Sequence, residues 1–348
     1  MSPQSRNIVI LSPNWLGDAV MSLPLVGLIG AAAGVRLVVA AKSYTARVYC
    51  GIGQVAELFV PPAGGRLRLA LAHRRLFREI GVEGVVLLAP SFSSALGPYL
   101  ARVGVRVGLR SDGRGPLLTR ALSDEGLRNQ HLSENYVRLG SALLRELHVP
   151  EPNEFETPQL RVFAGERKSL DPLLDSAGVR PGEYAVVVPG ATYGPTKSWP
   201  ADKYRALIAE LSNEIPVVVG GSSAERQLCT SIVQGIPRVH NFAGWTGLGE
   251  FIALLDGARV VVANDSGAPH VAASLGTPVV VIFGSTSPTW TAPLGETVHV
   301  IRKTVHCSPC FLAECPTKLE CYEGITPAEV LEAARTALKK SVEKINSD

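Results

Sequence analysis

Short apolar runs rich in Val and Ile recur along this chain and alternate with segments of helical spacing. Residues 7–11, 35–40 and 85–89 are runs of this kind in the first half, and residues 184–188 and 278–283 are counterparts in the second. A short run that is apolar throughout is typical of a parallel strand with helices on both faces. The sequence therefore predicts an α/β protein built on doubly wound parallel sheets. Further strands are predicted at 103–109, 216–219 and 259–263, and helices at 66–80, 201–212, 224–233, 248–255, 268–275 and 327–340.

A polar stretch rich in Pro and Glu separates the two series. It covers residues 150–158, PEPNEFETP, and is typical of an interdomain linker. A chain of 348 residues is long enough for two domains. We therefore expect Rossmann-like domains at 1–155 and 156–348, which face a central cleft where ligands bind beyond the strand ends. One possibility left open is that the last helix, 327–346, packs back on the first domain.

Basic residues are concentrated in the first half of the chain. Residues 1–150 contain 17 Lys and Arg against 9 Asp and Glu, and residues 151–348 contain 17 against 22. Arg accounts for 16 of the 17 basic residues before 151, and its guanidinium binds carboxylates and phosphates with two hydrogen bonds. The first half is thus expected to meet an anionic partner. Nucleic acid is not expected, because aromatic residues make up only 6% of the chain and no nucleic-acid-binding motif is present.

The sequence contains no segment suited to crossing a membrane and no signal peptide. The uncharged stretch at residues 19–35 contains Ser, Pro and three Gly and falls short of the roughly 20 apolar residues needed. The protein is therefore expected in the cytoplasm, where thiols stay reduced. Four of its six cysteines lie close together, at Cys307, Cys310, Cys315 and Cys321. Their spacing leaves two interpretations open, a structural zinc site or a loop of semi-buried thiols.

The first candidate functional residue follows the first strand. Ser12–Asp18, SPNWLGD, ends with Gly17 and Asp18 at the predicted start of a helix. Gly17 permits a tight turn and close approach by a ligand. Asp18 is interpreted either as an ordinary N-cap or as a general base at the carboxyl end of a strand.

Two further loops follow strands of the second series. Residues 189–200, PGATYGPTKSWP, place two Gly and Lys197 after a strand, as in an anion-binding loop. Residues 264–270, NDSGAPH, join a strand to a helix, so Asp265 can cap that helix while Ser266 and Gly267 occupy its first turn. Free N–H groups and the positive helix end then favour a diphosphate, which His270 could also reach. A plain capping box with a structural His is the alternative.

Taken together, these motifs resemble the lipopolysaccharide heptosyltransferases of glycosyltransferase family 9, and most closely their heptosyltransferase II branch. The resemblance rests on SPNWLGDAVMSLPL, PGATYGPTKSWP, NDSGAPHVAASLGTPVVVIFGSTSP and CSPCFLAECP, in this order along nearly the whole chain. It implies the GT-B fold, with the acceptor on the first domain and an ADP-sugar on the second. The implied reaction is an inverting, metal-independent transfer of L-glycero-D-manno-heptose from ADP-heptose to the heptosyl-Kdo-lipid A inner core.

The same resemblance implies roles for individual residues. Asp18 matches the family's catalytic base, and Lys197 matches a lysine near the donor phosphates. Asp265 is expected to orient N–H groups without contacting phosphate. The donor-binding set comprises Gly17, Thr192, Tyr193, Glu225, Asp265, Ser266, Gly267 and His270. Thr192 and Pro269 depart from the residues common in the family at these positions. The family's donor contacts therefore do not carry over directly to these two residues.

The resemblance also implies the partners. No obligatory cofactor and no metal are expected, and ADP-heptose is the donor. The acceptor is an anionic lipid A–Kdo–heptose, and Arg66, Arg68, Arg74, Arg75 and Arg78 could hold its head group or touch the inner membrane surface. A monomer is expected. The alternatives are a family member with another acceptor, such as heptosyltransferase I, a non-catalytic nucleotide-sugar-binding module, and a nicotinamide-dependent oxidoreductase, for which the glycine fingerprint is missing.

Overall fold

The structure is a computed structural model that describes residues 5–191 and 193–345. For residues 340–345 it describes the backbone only. The chain divides into two compact units, of which the first ends at Arg161 and the second begins at Val162. This boundary lies six residues beyond the one predicted at 155. Within the described residues each unit contains one six-stranded sheet in which all neighbouring strands are parallel. The predicted α/β class is therefore confirmed.

The first unit has the strand order β3-β2-β1-β4-β5-β6. Its strands are β1 Arg6–Leu11, β2 Val35–Ala40, β3 Glu57–Phe59, β4 Gly84–Leu87, β5 Val105–Leu109 and β6 Arg120–Leu122, and its helices are α1 Leu16–Met21, α2 Leu23–Gly30, α3 Ser43–Ala46, α4 Arg66–Glu79, α5 Phe92–Ala101 and α6 Leu132–Glu146. The central strands are buried because helices cover both sides of the sheet. On one side Leu76 and Phe77 of α4 join Val9 and Val85 in a shared core. Elsewhere α6 packs on α2, and Gly140 allows close approach because a Cβ there would lie 2.4 Å from a Leu25 methyl group.

The second unit repeats this architecture with the order β12-β11-β10-β7-β8-β9. Its strands are β7 Ala185–Val188, β8 Val217–Val219, β9 Val239–Asn241, β10 Val260–Asn264, β11 Val279–Phe283 and β12 Val298–Arg302, and its helices are α7 Ala164–Ala177, α8 Ala201–Leu211, α9 Arg226–Val233, α10 Leu248–Asp256, α11 Gly267–Ser274, α12 Pro288–Thr291, α13 Glu320–Glu323 and α14 Pro327–Ile345. Strands β7, β8, β10 and β11 are buried along their whole length. These four strands are adjacent and parallel, so their carboxyl ends lie side by side at one edge of the sheet.

The final helix, α14, packs on the sheet of its own unit. Val330, Leu331, Ala334 and Ala337 belong to the same core as Tyr204 of α8. Packing of this helix against the first unit stays a prediction. Among the described residues, no helix combines the length and the apolar character needed to cross a membrane.

A histidine side chain lies inside the core of the first unit. His73 of α4 is 7% exposed, and its ring stacks on Phe77 at 5.7 Å between centroids. Burial lowers the pKa of His73 from 6.5 to about 4, because the charged imidazole would lose its hydration. The folded protein therefore keeps His73 neutral at a pH where the unfolded chain protonates it.

We predict an acid-dependent loss of stability that His73 causes. Between pH 6.5 and about 4 the unfolded chain binds one more proton than the folded protein. The free energy of unfolding should therefore fall as the pH is lowered through this window, by about 3 kcal/mol in total from this residue. Urea denaturation of the wild type and of His73→Leu measures this, and the variant should show a shallower decline. Equal declines would contradict the assignment.

Candidate functional site

Asp18 lies in the first turn of α1, just beyond the carboxyl end of β1. Helix α1 begins at Leu16, its N-cap residue is Trp15, and no side chain caps it. The interpretation of Asp18 as an N-cap is therefore wrong. Gly17 is buried inside the helix as its second residue, and Asp18 is half-buried. Asp18 therefore lies at the positive end of the helix dipole.

Two buried phenols lie within electrostatic range of Asp18. Burial, and to a smaller extent the charge of Asp18, raises the pKa of Tyr49 to about 12 and that of Tyr136 well above its usual value. The Tyr49 hydroxyl also shares hydrogen bonds with Ser12 Oγ at 2.9 Å and Ser22 Oγ at 2.8 Å. Both phenols thus stay neutral at ordinary pH, and they give the surroundings of Asp18 a polar but uncharged lining. Sequence reasoning missed both tyrosines, since neither lies in a motif.

A buried ion pair joins two loops of the second unit. Lys197 ends a short 3-10 helix, Pro195–Lys197, in the loop after β7, and its Nζ donates to Asp265 Oδ2 at 2.7 Å. The side chains are 19% and 4% exposed. Asp265 Oδ2 also accepts a hydrogen bond of 2.6 Å from Thr286 Oγ1, in the loop after β11. One carboxylate therefore connects the ends of β7, β10 and β11.

This geometry corrects the expected role of Asp265. Helix α11 begins at Gly267 and has Ser266 as its N-cap, so Asp265 does not cap it. Its carboxylate holds Lys197 instead. The sequence predicted that Asp265 would not contact phosphate itself, and the pairing with Lys197 is compatible with that.

The N-terminus of α11 lies directly beside this pair in the chain. Gly267 is half-buried, and His270, one turn further on, is 4% exposed. Among the residues that the structure describes, no hydrogen-bond partner reaches the buried hydroxyls of Ser266 and Ser285, which follow β10 and β11. Buried hydroxyls are nearly always paired in proteins, so these two are suited to a ligand. Together with the N–H groups of the first turn and the nearby ammonium of Lys197, they favour an anion.

Glu225 lies at the same sheet edge, after β8. It ends the 3-10 helix Ser223–Glu225, and its Oε2 accepts bonds of 2.7 Å from both the N–H and the Oγ of Ser222. Its Oε1 lies against the loop after β7, because a Cβ at Gly190 would be only 1.8 Å from it. A side chain at position 190 would therefore displace the Glu225 carboxylate, which presents an oxygen to the loop that carries Lys197.

An exposed indole follows β9 at this edge, and sequence reasoning missed it. Trp245 is 63% exposed, and the Arg226 guanidinium lies 4.7 Å from the centre of its ring. Arg226 is fixed by hydrogen bonds to the carbonyls of Ala243 at 3.1 Å and Gly244 at 2.6 Å. The exposure of this side chain and its place after β9 are known only from the folded chain, so the sequence carried no signal for it.

The loop after β7 is fastened to the cysteine-containing segment. Tyr193 donates from its hydroxyl to the Phe311 carbonyl at 2.9 Å, and its ring lies 5.4 Å from Lys197 Nζ. Thr196 Oγ1 donates to the Leu312 carbonyl at 2.5 Å. Thr192, the remaining predicted residue of this loop, lies outside the described residues.

The four cysteines of this segment lie within 15 residues of one another in the chain. All four are free thiols, and burial together with the charges of the other three raises the pKa of Cys321 to about 11. Within 5–191 and 193–345, no three His, Cys, Asp or Glu side chains are arranged to hold a metal ion. The zinc interpretation gains no support from this geometry, and both interpretations of the cysteines stay open.

Comparison with known proteins decides the family. Residues 71–320 match the family model described as glycosyltransferase family 9 (heptosyltransferase). The chain belongs to glycosyltransferase family 9. A curated relative, lipopolysaccharide heptosyltransferase 2 of Salmonella typhimurium, is 31% identical over 309 residues, which cover 85% of this chain and 87% of the relative. The predicted family resemblance is thereby confirmed.

Solved structures of the family share the fold. The structure of Escherichia coli ADP-heptose LPS heptosyltransferase II has a TM-score of 0.77 and 28% identity, and the match covers 97% of this chain and 99% of that one. The Escherichia coli heptosyltransferase WaaC with ADP-2-deoxy-2-fluoro heptose has a TM-score of 0.64 and 21% identity, with coverage of 97% and 99%. These likenesses confirm the GT-B class. The roles predicted for individual site residues stay predictions.

We predict strong energetic coupling between Lys197 and Asp265. Removal of the cation in Lys197→Met leaves a buried carboxylate without its counter-charge, which should cost about 3 kcal/mol of stability. Asp265→Asn removes that charge, so the double variant should recover at least about 1 kcal/mol relative to the sum of the single effects. Urea denaturation of the four proteins measures this coupling. Additive losses would show that the pair does not form.

Proposed function

We propose that this protein is an inverting glycosyltransferase that moves L-glycero-D-manno-heptose from ADP-heptose to the heptosyl-Kdo-lipid A inner core of lipopolysaccharide. One observation carries the proposal. An ammonium, the first N–H groups of α11 and two buried hydroxyls without a partner among the described residues lie along one strand edge in a chain 31% identical to lipopolysaccharide heptosyltransferase 2 over 85% of its length. A diphosphate leaving group is the anion that such a reaction must hold.

The donor would bind along the edge of the second sheet. Its diphosphate would accept hydrogen bonds from Lys197, His270 and the first N–H groups of α11. The ribose hydroxyls would meet the Glu225 carboxylate, and the adenine would lie against Trp245. The remaining donor contacts would come from Thr192, Tyr193, Ser266 and Gly267. The ADP-sugar in the structure of the related WaaC supports an ADP-linked donor for this chain as well.

Asp18 of the first unit would act as the base of a single in-line displacement. Its carboxylate takes the proton from an acceptor hydroxyl as that oxygen bonds to the anomeric carbon. The bond from the anomeric carbon to the diphosphate oxygen breaks at the same time, so the configuration inverts and ADP leaves. Negative charge grows on the departing diphosphate, and Lys197 and the N-terminus of α11 stabilise it. Gly17, next to Asp18, would contribute to donor binding.

The acceptor is a lipid, and we propose that the protein works as a monomer in the cytoplasm, in peripheral contact with the inner membrane surface. Helix α4 supports this contact. Its buried side contains Ala70 and Phe77, whereas Leu67 and Leu71 are 65% and 48% exposed. The arginines of α4 that are also exposed are Arg66, Arg68, Arg75 and Arg78. Leucines among arginines on an outward helix face are suited to an anionic lipid surface.

We predict that Asp18→Asn separates chemistry from donor binding. The amide cannot accept the proton, so kcat should fall by at least about a hundredfold. The affinity for ADP, measured by calorimetry, should stay within about twofold of wild type, because Asp18 lies in the other unit. Asp124→Asn, which neutralises an exposed carboxylate of the same unit, serves as the control and should keep wild-type kcat. Near-normal turnover of Asp18→Asn would remove Asp18 from the mechanism.

We further predict that α4 determines binding to anionic vesicles. The double variant Arg75→Glu, Arg78→Glu should bind phosphatidylglycerol-containing vesicles at least about tenfold more weakly in cosedimentation, since each lost basic residue weakens attraction to the surface. Arg180→Glu changes an exposed arginine of the second unit and should have little effect. Unchanged vesicle binding by the double variant would exclude α4 as the contact.

A further inference from the structure

One buried side chain bridges the two ends of the loop that carries Lys197. Asn264 is the last residue of β10 and is fully buried. Its Nδ2 donates to the Pro189 carbonyl at 2.7 Å, where the loop leaves β7. Its Oδ1 accepts from the Trp199 N–H at 3.0 Å, where the loop ends before α8. A single carboxamide therefore closes the loop of residues 189–199 at both ends.

The Asn264 carboxamide makes a third hydrogen bond, to a side chain outside the loop. Its Oδ1 also accepts a bond of 2.9 Å from the Tyr204 hydroxyl of α8. Tyr204 is fully buried, and its ring packs edge-on against Trp199 at 5.0 Å between centroids. Trp199 is 2% exposed and donates from Nε1 to the Ile325 carbonyl at 3.3 Å. Water has little access to this cluster, so the bonds of Asn264 are not easily exchanged for bonds to solvent.

We propose that Asn264 is the residue that positions Lys197 for its work on the donor phosphates. With both ends of the loop tied to β10, the Lys197 ammonium comes within 2.7 Å of Asp265, the residue that directly follows Asn264. The catalytic consequence rests on the proposed function, whereas the tethering of the loop does not.

Two further contacts of the loop reach a segment outside the sheet. Tyr193 and Thr196 donate to the carbonyls of Phe311 and Leu312. That segment runs between β12 and α13 in turns and bends, without helix or strand. It is a weaker anchor than a central strand, whose backbone is hydrogen-bonded on both sides.

Only asparagine suits this position among side chains of its size. A carboxamide combines a donor and an acceptor on one planar group, as the Pro189 carbonyl and the Trp199 N–H require. An ionised aspartate cannot donate to the carbonyl, and leucine can make neither bond. The loss of Asn264 would also leave the Tyr204 hydroxyl without its acceptor.

The test compares Asn264→Ala with Tyr204→Phe. The first variant removes both bonds to the loop. The second removes only the bond from α8 and keeps the loop tethered, so it controls for general damage to the buried cluster. ADP affinity is measured by calorimetry, and steady-state kinetics give kcat and the KM values for donor and acceptor. Thermal unfolding confirms that both variants are folded at the temperature of the assay.

Asn264→Ala should bind ADP at least tenfold more weakly and show a raised donor KM and a lowered kcat, with an unchanged acceptor KM. Tyr204→Phe should stay within twofold of wild type in every parameter. ADP affinity of Asn264→Ala within twofold of wild type would overturn the proposal, as would equal weakening in Tyr204→Phe. A merely structural role would lower the active fraction and leave the donor KM unchanged.

Hydrogen exchange gives a readout that depends neither on ADP nor on the folding of Asn264→Ala. In the wild type and in Tyr204→Phe, the Trp199 amide should exchange as slowly as amides of β10, although it lies in no helix or strand. Fast exchange of this amide in the wild type would overturn the proposal. Failure of the wild type to bind ADP would instead count against the proposed function, and slow exchange at Trp199 would still support the tether.

Discussion

The buried ion pair between Lys197 and Asp265 is the interaction on which the organisation of the second unit's site depends. A carboxylate that is 4% exposed is tolerated only with a cation and hydrogen-bond donors close by. Lys197 supplies the cation from the loop after β7, and Thr286 supplies a hydroxyl from the loop after β11. The pair thereby sets the positions of three neighbouring strand ends. An ammonium held there is ready for an anion without further reorganisation, which is how a fixed charge assists a leaving group.

The sequence predicted the centre of each sheet and missed its edges. Strands such as β1, β2, β7 and β11 are continuous apolar runs because helices cover both of their faces. The four strands that were not predicted, β3, β6, β9 and β12, are the outer strands of the two sheets. They are short or only partly buried, as in the three half-buried residues of β9. An outer strand has less buried surface, so its composition differs little from that of a loop.

In the site as well, the sequence predicts where single residues lie relative to the strands, but it does not predict which distant residues they contact. The positions of Lys197 and Asp265 after strands follow from local pattern, and both residues lie in loops at the carboxyl edge of one sheet. Their partnership could not be predicted, because the two residues are separated by 68 positions in the chain. The same holds for the bonds of Asn264 to Pro189 and Trp199 and for the tyrosines near Asp18. Such contacts are made by tertiary packing, and no periodicity in a single sequence records them.

We propose that Lys197 and Asp18 take part in one inverting transfer from an ADP-sugar. The most direct test is to incubate the protein with ADP-heptose and heptosyl-Kdo-lipid A and to analyse the product by mass spectrometry and NMR. We predict one added heptose for each ADP released, with an anomeric configuration opposite to that of the donor. Release of ADP without transfer to the acceptor, or a product with retained configuration, would contradict it.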